Sequence, residues 1–319
     1  MPVLGLHHVT AICGPAQANL DAYGGLLGLR LVKQTVNFDD PGTYHLYYAD
    51  GAAEPGSFLT FFPWGDGAMP GRVGPPQATA TAYAAPVGAV DLWMDRLAEH
   101  GPRHDVTFGT PVERFGERVL RVVDGDGLRI EIVEAESADG GWAGGPVPEA
   151  MALGAFHGVT LDTVRPGATA RVLEALGYEP DAEADGRIRF AHPDAPRARF
   201  VDLVAQPDGP AGRMGVGTVH HVAFRVADDD AEMEVRETLL GLGLQPTPQI
   251  DRQYFHSVYC REPGGVLFEI ATDNPGFAVD EAPDALGREL RLPPQYEPQR
   301  AAIEARLTPL RLPYDAPSF

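Results

Sequence analysis

Apolar residues recur in two alternating periods along this chain, and the alternation itself repeats. Leu4-Gly5-Leu6-His7-His8-Val9-Thr10, Gly154-Ala155-Phe156-His157-Gly158-Val159-Thr160 and Thr218-Val219-His220-His221-Val222-Ala223-Phe224 each read as a short strand. A helical stretch follows each: Ala18 to Leu27, Ala168 to Leu176 and Asp230 to Leu240. Each stops at glycine (Gly28, Gly177 and Gly241), a helix C-cap signal. Paired short strands come next, at Tyr44 to Tyr48 with Phe58 to Phe62, Ile188 to Ala191 with Arg199 to Val204, and Ser257 to Arg261 with Val266 to Ala271. A weaker copy opens at Gln77 to Tyr83, with a helix over Val87 to Glu99. Its strands Arg118 to Val123 and Leu128 to Val133 are joined by the turn Asp124-Gly125-Asp126-Gly127. The pattern predicts an α+β fold of four βαβββ modules. At about 55 residues each, the modules are too small to bury a core alone and should pair.

Modules one and two are expected within 1–136, a Gly/Pro-rich linker at 137–152, and modules three and four within 153–273. The segment 274–319 carries eight prolines and reads as an extended strap, with a short helix at Gln299 to Leu307.

Strand residues alternate between faces. Val222, Phe224 and Val226 form an apolar face, leaving His221, Ala223 and Arg225 on the other; Val266, Phe268 and Ile270 likewise leave Glu269 opposite them. His221 and Glu269 thus share the non-core face of one sheet. His8 shares a face with Thr10, opposite His7 and Val9. Two imidazoles and one carboxylate form a facial ligand set that leaves positions open, suited to Fe(II), Mn(II), Ni(II) or Zn(II). A lone histidine is more often a hydrogen-bonded core residue, but a His-His-Val doublet in two modules with an aligned Glu favours ligands. Spacing does not choose between His8 and His157 as the first of them. Glu131 and Asp202 occupy places similar to Glu269 in their modules.

Composition narrows the partners. Apolar residues make up 44% and charged residues 22%, and the net charge is −20, with lysine nearly absent. Such a field repels phosphate backbones and anionic lipid, so no nucleic acid and no membrane surface is expected. No run reaches the roughly 18 apolar residues of a membrane span. The N-terminus lacks the basic and apolar regions of a signal peptide, and two cysteines, Cys13 and Cys260, make no disulfide framework. A cytoplasmic location is expected.

The four-module pattern resembles the vicinal oxygen chelate superfamily, the glyoxalase/bleomycin resistance/dioxygenase group, over nearly the whole chain. Within it, the run Asp251-Arg252-Gln253-Tyr254-Phe255-His256-Ser257-Val258-Tyr259, continuing through Arg261-Glu262-Pro263-Gly264-Gly265 to Glu269-Ile270-Ala271-Thr272-Asp273, is similar to the ring-cleaving dioxygenases that act on hydroquinones. The resemblance implies two half-barrel-like curved sheets and metal ligands at His8, His221 and Glu269. It places substrate-contacting or supporting roles on His7, Thr10, His220, Arg252 and Tyr259. It further implies Fe(II), or Mn(II) or another divalent metal, and an extradiol-type enzyme that adds both atoms of O2 to a small dihydroxylated aromatic. His256 departs from the family pattern. A homo-oligomer is compatible with the sequence. Alternatives on the same fold are a glyoxalase-like isomerase or lyase and a metal-free aromatic-binding or resistance protein. By alternation, His7 and His220 point away from their ligand neighbours unless the strand bulges. Phe58, Phe61, Phe62 and Trp64 read mainly as core, with an aromatic pocket wall as their other role.

Overall fold

The computed structural model describes residues 2–136, 138 and 140–314; Ser137 and Asp139 of the expected linker and 315–319 of the expected strap lie outside the described residues. The first module comprises β1 (Val3–Cys13), α1 (Ala16–Leu20), β2 (Arg30–Val36), β3 (Tyr44–Ala49) and β4 (Phe58–Pro63). The second has β5 (Gln77–Ala85), α2 (Ala89–His100), β6 (Thr107–Phe108), β7 (Val112–Arg114), β8 (Glu117–Val123) and β9 (Arg129–Glu134). The third has β10 (Phe156–Thr163), α3 (Pro166–Ala175), β11 (Glu179–Ala184), β12 (Arg187–Ala191) and β13 (Phe200–Ala205). The fourth has β14 (Thr218–Val226), α4 (Asp229–Gly241), β15 (Ile250–Asp251), β16 (Phe255–Arg261) and β17 (Leu267–Pro275). A last short helix, α5 (Arg300–Glu304), lies in the tail, shorter than the sequence implied.

Two curved sheets result. Modules one and four build one of eight strands, ordered β15-β16-β17-β14-β1-β4-β3-β2. Modules two and three build the other, ordered β11-β12-β13-β10-β5-β9-β8-β6, with β7 on β8. In each sheet the opening strands of two modules pair antiparallel at the centre, β1 with β14 and β5 with β10. The four expected modules are present. The helix expected over Ala18 to Leu27 divides into α1 and a π-helical stretch Asp21–Leu26, where Gly24-Gly25 offers no side chains to hold a tighter spiral. The strands β2 and β11 escape the alternation rule: β2 buries Lys33 and Gln34, and β11 is a largely exposed edge.

The tail is tied to β2. Gln34 Nε2 donates to the Gly287 carbonyl at 2.7 Å, and Arg291 N donates to the Gln34 carbonyl at 2.9 Å. Lys33, the only lysine in the chain, is fully buried; it donates to Asp280 at 2.6 Å and also to Glu281. Farther along, Tyr296 OH donates to the Phe38 carbonyl at 2.6 Å. A buried ammonium facing a buried carboxylate, Glu281, and a partly buried one, Asp280, is stable only as a set.

α4 is started by Asp228, whose side chain accepts from Ala231 N. Its Glu232 is fully buried, with Oε2 accepting from Gln249 Nε2 at 2.6 Å and Oε1 unpartnered. Burial pushes this carboxyl from 4.5 up to about 7.

Two stability effects follow from these contacts. Lys33→Met leaves the buried Glu281 facing only Arg291, at 3.5 Å, so unfolding in urea should become easier by roughly 3 kcal/mol. An unchanged midpoint would mean that backbone contacts alone hold the tail. For Glu232 the folded pKa exceeds the unfolded one, so folding disfavours the ionised form. The penalty is absent below the unfolded value and grows as pH rises through the folded one. Glu232→Gln should therefore be more stable than the parent by about 2 kcal/mol at about pH 8, with the gap closing by about pH 4. A gap that does not change with pH would overturn the assignment.

Candidate metal centre

The centre lies on the seam between β1 and β14, and that seam is irregular in an informative way. The register runs Leu6↔Phe224 and then His8↔Ala223, so His7 is an extra residue on β1. It runs Thr10↔His221 and then Ala11↔Val219, so His220 is an extra residue on β14. Each bulge falls on the first histidine of a doublet. A bulge breaks strict alternation and re-aims a side chain. This is the departure from alternation that the sequence required if His7 and His220 were to reach their neighbours. His7 Nδ1 lies 2.8 Å from His8 Nδ1, and His220 Nδ1 lies 2.7 Å from His221 Nδ1.

The other ends of His8 and His221 meet Glu269. β17 runs parallel to β14 with Glu269 opposite Ala223, which sets its carboxylate between the two imidazoles. His8 Nε2 is 3.1 Å from His221 Nε2 and 3.3 Å from Glu269 Oε2, and His221 Nε2 is 2.8 Å from the same oxygen. All three residues are buried. Burial alone would raise the Glu269 carboxyl, but the facing imidazoles of His8 and His221 hold it well below the ordinary carboxylate range. Among the described residues neither carboxylate oxygen has a directed hydrogen-bond partner in spite of these short contacts. A buried carboxylate without a directed hydrogen bond, facing two imidazole nitrogens, is a donor set that fits a cation.

The triangle has the right size. Donor atoms about 2.1 Å from an octahedral ion and at right angles to one another are about 3.0 Å apart, whereas a tetrahedral ion spreads them to about 3.4 Å. The observed edges of 2.8, 3.1 and 3.3 Å fall in the span that one shared ion requires. Coordination through Nε2 would leave each ligand imidazole its proton on Nδ1, donated to the neighbouring Nδ1 of His7 or His220. Those two rings then carry their own protons on Nε2. Burial and the neighbouring His221 push His220 down to about 3, and burial followed by His8 lowers His7 strongly, so both are neutral near pH 7.

A cavity of about 280 Å³ opens beside the triangle. Phe38, Phe62, Trp64 and Phe255 supply aromatic surface, and His220, Arg252 and Tyr259 supply polar groups. Arg252 Nε donates to Tyr259 OH at 3.2 Å, and its Nη1 lies 3.4 Å from Asp39. Burial, then Glu269, pushes the Tyr259 phenol up, so it remains an O–H donor.

Of the residues expected at the site, His8, His221, His220, Arg252 and Tyr259 line this cavity. His7 sits behind it, packed on Phe58 and Phe255 at 5.7 and 5.3 Å between ring centres. Thr10 is fully buried and shares a hydrogen bond with Thr60 at 2.8 Å. His157 lies in the other sheet, 2.7 Å from Glu117, and Glu131 is held there by Arg114. His256 pairs with Asp229 at 2.6 Å, away from the cavity lining. Phe62 and Trp64 wall the cavity, whereas Phe58 and Phe61 are core.

Sequence reasoning missed His45 and Tyr47, which also line the cavity. Tyr47 OH and His45 Nδ1 are 2.8 Å apart, and His45 Nε2 is 2.9 Å from Thr60 Oγ1, so a continuous hydrogen-bonded chain leads to Thr10. Burial, then His8 and His221, lowers the His45 pKa well below its ordinary value. The signal was present: His45 and Tyr47 share one face of β3, opposite Tyr44, Leu46 and Tyr48.

Comparison with known proteins agrees with this architecture. Residues 5–132 match the family described as the Glyoxalase/Bleomycin resistance protein/Dioxygenase superfamily. MhqO of Bacillus subtilis, named a ring-cleaving dioxygenase, is 44% identical over 97% of both chains. The chlorohydroquinone/hydroquinone 1,2-dioxygenase of Sphingobium indicum is 36% identical over 92% of this chain and 93% of its own. A crystal structure of a B. subtilis protein named a dioxygenase, 44% identical, superposes with a TM-score of 0.92 over 97% of this chain and 98% of its own. Maize glyoxalase I, 13% identical, shares the fold with a TM-score of 0.62 over 84% of this chain and 92% of its own. With its four modules, two curved sheets and full-length homology to proteins named ring-cleaving dioxygenases, the chain belongs to the glyoxalase/bleomycin resistance protein/dioxygenase superfamily.

Proposed function

We propose that this chain is an Fe(II)-dependent ring-cleaving dioxygenase of the extradiol type, acting with O2 on hydroquinone-like aromatics, and that His8, His221 and Glu269 are its iron ligands. The observation that carries the reading is the buried triangle of two Nε2 atoms and one carboxylate oxygen, all within 4.8 Å of one another. Two nitrogens and one oxygen on a single face, with the rest of the coordination sphere open to a cavity, match the requirement of non-haem Fe(II) oxygenases. The Sphingobium relative, named for chlorohydroquinone and hydroquinone, supports the substrate class. Held by His8, His221 and Glu269, Fe(II) would supply a Lewis acid that lowers a phenol pKa and a redox centre for O2.

The protein's own groups divide the remaining work. Phe38, Phe62 and Trp64 sandwich a flat ring and exclude water from its edges. The guanidinium of Arg252 keeps donors free beyond Tyr259 and Asp39 and faces negative charge on the ring oxygen. Tyr259 offers its O–H to the same region. His220 has Nδ1 engaged by His221, so its Nε2–H acts as a donor toward substrate oxygen rather than as a base. His7 fixes the ring plane of His8 from behind, and Thr10, through Thr60, steadies the strand that carries it.

Loading with Fe(II) without oxygen, followed by metal analysis, tests the ligand set. His8→Ala, His221→Ala and Glu269→Gln should each lose bound iron, and His157→Ala should keep it. His7→Phe should weaken affinity by roughly 10–100-fold, as loss of a ligand's hydrogen-bond partner does. Loss confined to His157→Ala would refute the assignment. An oxygen electrode tests the reaction. Uptake with hydroquinones is expected, preference for catechols would remove the substrate assignment, and inactivity with both would remove the dioxygenase.

A further inference from the structure

The second sheet repeats the geometry of the first without its chemistry. The register at its centre is the same: Phe156↔Tyr83 then Gly158↔Ala82, and Thr160↔Ala80 then Leu161↔Ala78. Bulges fall on His157 and Thr79 as they fall on His7 and His220. Glu131 stands opposite Ala82 as Glu269 stands opposite Ala223. The places of His8, His221 and Glu269 are therefore taken by Gly158, Ala80 and Glu131. Both imidazoles are gone, and Arg114 clamps the Glu131 carboxylate with two bonds of 2.6 and 2.7 Å. Next to Ala80 a cavity of about 440 Å³ opens, larger than the 280 Å³ beside the metal triangle and within the range of small-molecule sites.

We propose that this cavity is a second ligand site, independent of the iron reading, and that it takes a small hydroxycarboxylate. Three guanidinium groups, Arg121, Arg129 and Arg187, line it in a chain whose net charge is −20. The guanidinium groups of Arg121 and Arg129 make no hydrogen bond among the described residues. Arg121 approaches Glu131 only at 3.8 Å, and both oxygens of that carboxylate are already engaged by Arg114. Arg187 is mostly buried and uses only Nη1, on Thr160 at 2.7 Å and Asp202 at 3.2 Å, so its other donors open on the cavity. Asp202 is in turn bound by Arg189. Three guanidinium groups with unused donors form a carboxylate receptor.

Asp162 limits which carboxylate fits. It is buried and lines the same cavity; Oδ1 accepts from Thr79 at 2.9 Å, and Oδ2 has no partner among the described residues. An acceptor there repels a second carboxylate and welcomes a hydroxyl donor. Ala80, Ile130 and Val204 supply apolar wall for a carbon chain. The ligand thus carries a carboxylate, a hydroxyl and a short hydrocarbon chain.

Calorimetric titration of the whole protein at low salt, with 6-hydroxyhexanoate as the probe, tests this. One molecule should bind per chain, with hexanoate and adipate weaker and 1,6-hexanediol silent. The double variant Arg121→Ala/Arg129→Ala alters only partly exposed rim side chains and should weaken binding about tenfold or more. Asp162→Ala should erase the preference over hexanoate. The proposal fails if no probe binds, if the arginine double variant binds as the parent does, or if His221→Ala rather than the arginine variant abolishes binding. Adipate binding as tightly as the hydroxy acid would overturn the role of Asp162.

Discussion

The architecture of the site depends on a buried carboxylate that the protein alone does not satisfy. Placing Glu269 at the centre of an eight-stranded sheet, away from water, carries a desolvation penalty on the order of several kcal/mol. The sheet answers with two imidazoles rather than with the arginine it uses elsewhere. Imidazoles at 2.8 and 3.3 Å lower the carboxyl pKa but donate no directed hydrogen bond to it. A guanidinium would have closed the network, as Arg114 closes it around Glu131. The imidazoles keep it open to a cation. The two bulges on the seam let each doublet use both rings, one inward and one behind it as a hydrogen-bond partner.

Much of this was legible in the residue pattern. Module count, three of the four helices and the shared face of His221 and Glu269 follow from periodicity, because burial on one side imposes a period of two on strands and near 3.6 on helices. The resemblance implied His8 rather than His157, and the sheet order puts only His8 beside His221: β1 pairs with β14, whereas His157 sits on β10 in the other sheet. What was not legible has one common cause. Alternation presumes an unbroken ladder, and at His7 and His220 the ladder is broken. Nothing local marks those bulges, because they arise from pairing between residues more than 200 positions apart. β2 was hidden for a related reason. Its Lys33 looks like a surface residue until the tail brings Asp280 and Glu281 to it.

The tail shapes the cavity as well as the fold. The loop after β2 contributes Asn37, Phe38 and Asp39 to the cavity wall, and Tyr296 bonds the Phe38 carbonyl from the far end of the chain. Asp39 in turn meets Arg252 from the fourth module. The triangle of His8, His221 and Glu269 joins modules one and four at their core, and the tail joins them again at the rim. The cavity is therefore bounded by segments that share no local sequence, and a short motif reports only its ligands.

The two sheets together show how little separates a His-His-Glu triangle from an ion-pair cluster on one scaffold. Bulges, register and central carboxylate are common to both. In the second sheet Gly158 leaves no room for an imidazole: a Cβ there would lie 2.4 Å from the Phe200 carbonyl oxygen, so any side chain would force the adjacent strand away. With one imidazole position closed by packing, Ala80 alone could not complete a triad, and Glu131 would remain a buried charge. Arg114 resolves that charge by a different route, and Arg187 and Arg189 do the same for Asp202. The same constraint, a carboxylate that must not be left alone in the interior, thus leads to an open triangle in one half and to a guanidinium-rich basin in the other. The deciding difference is whether the backbone leaves room for a side chain at the position after the first bulge.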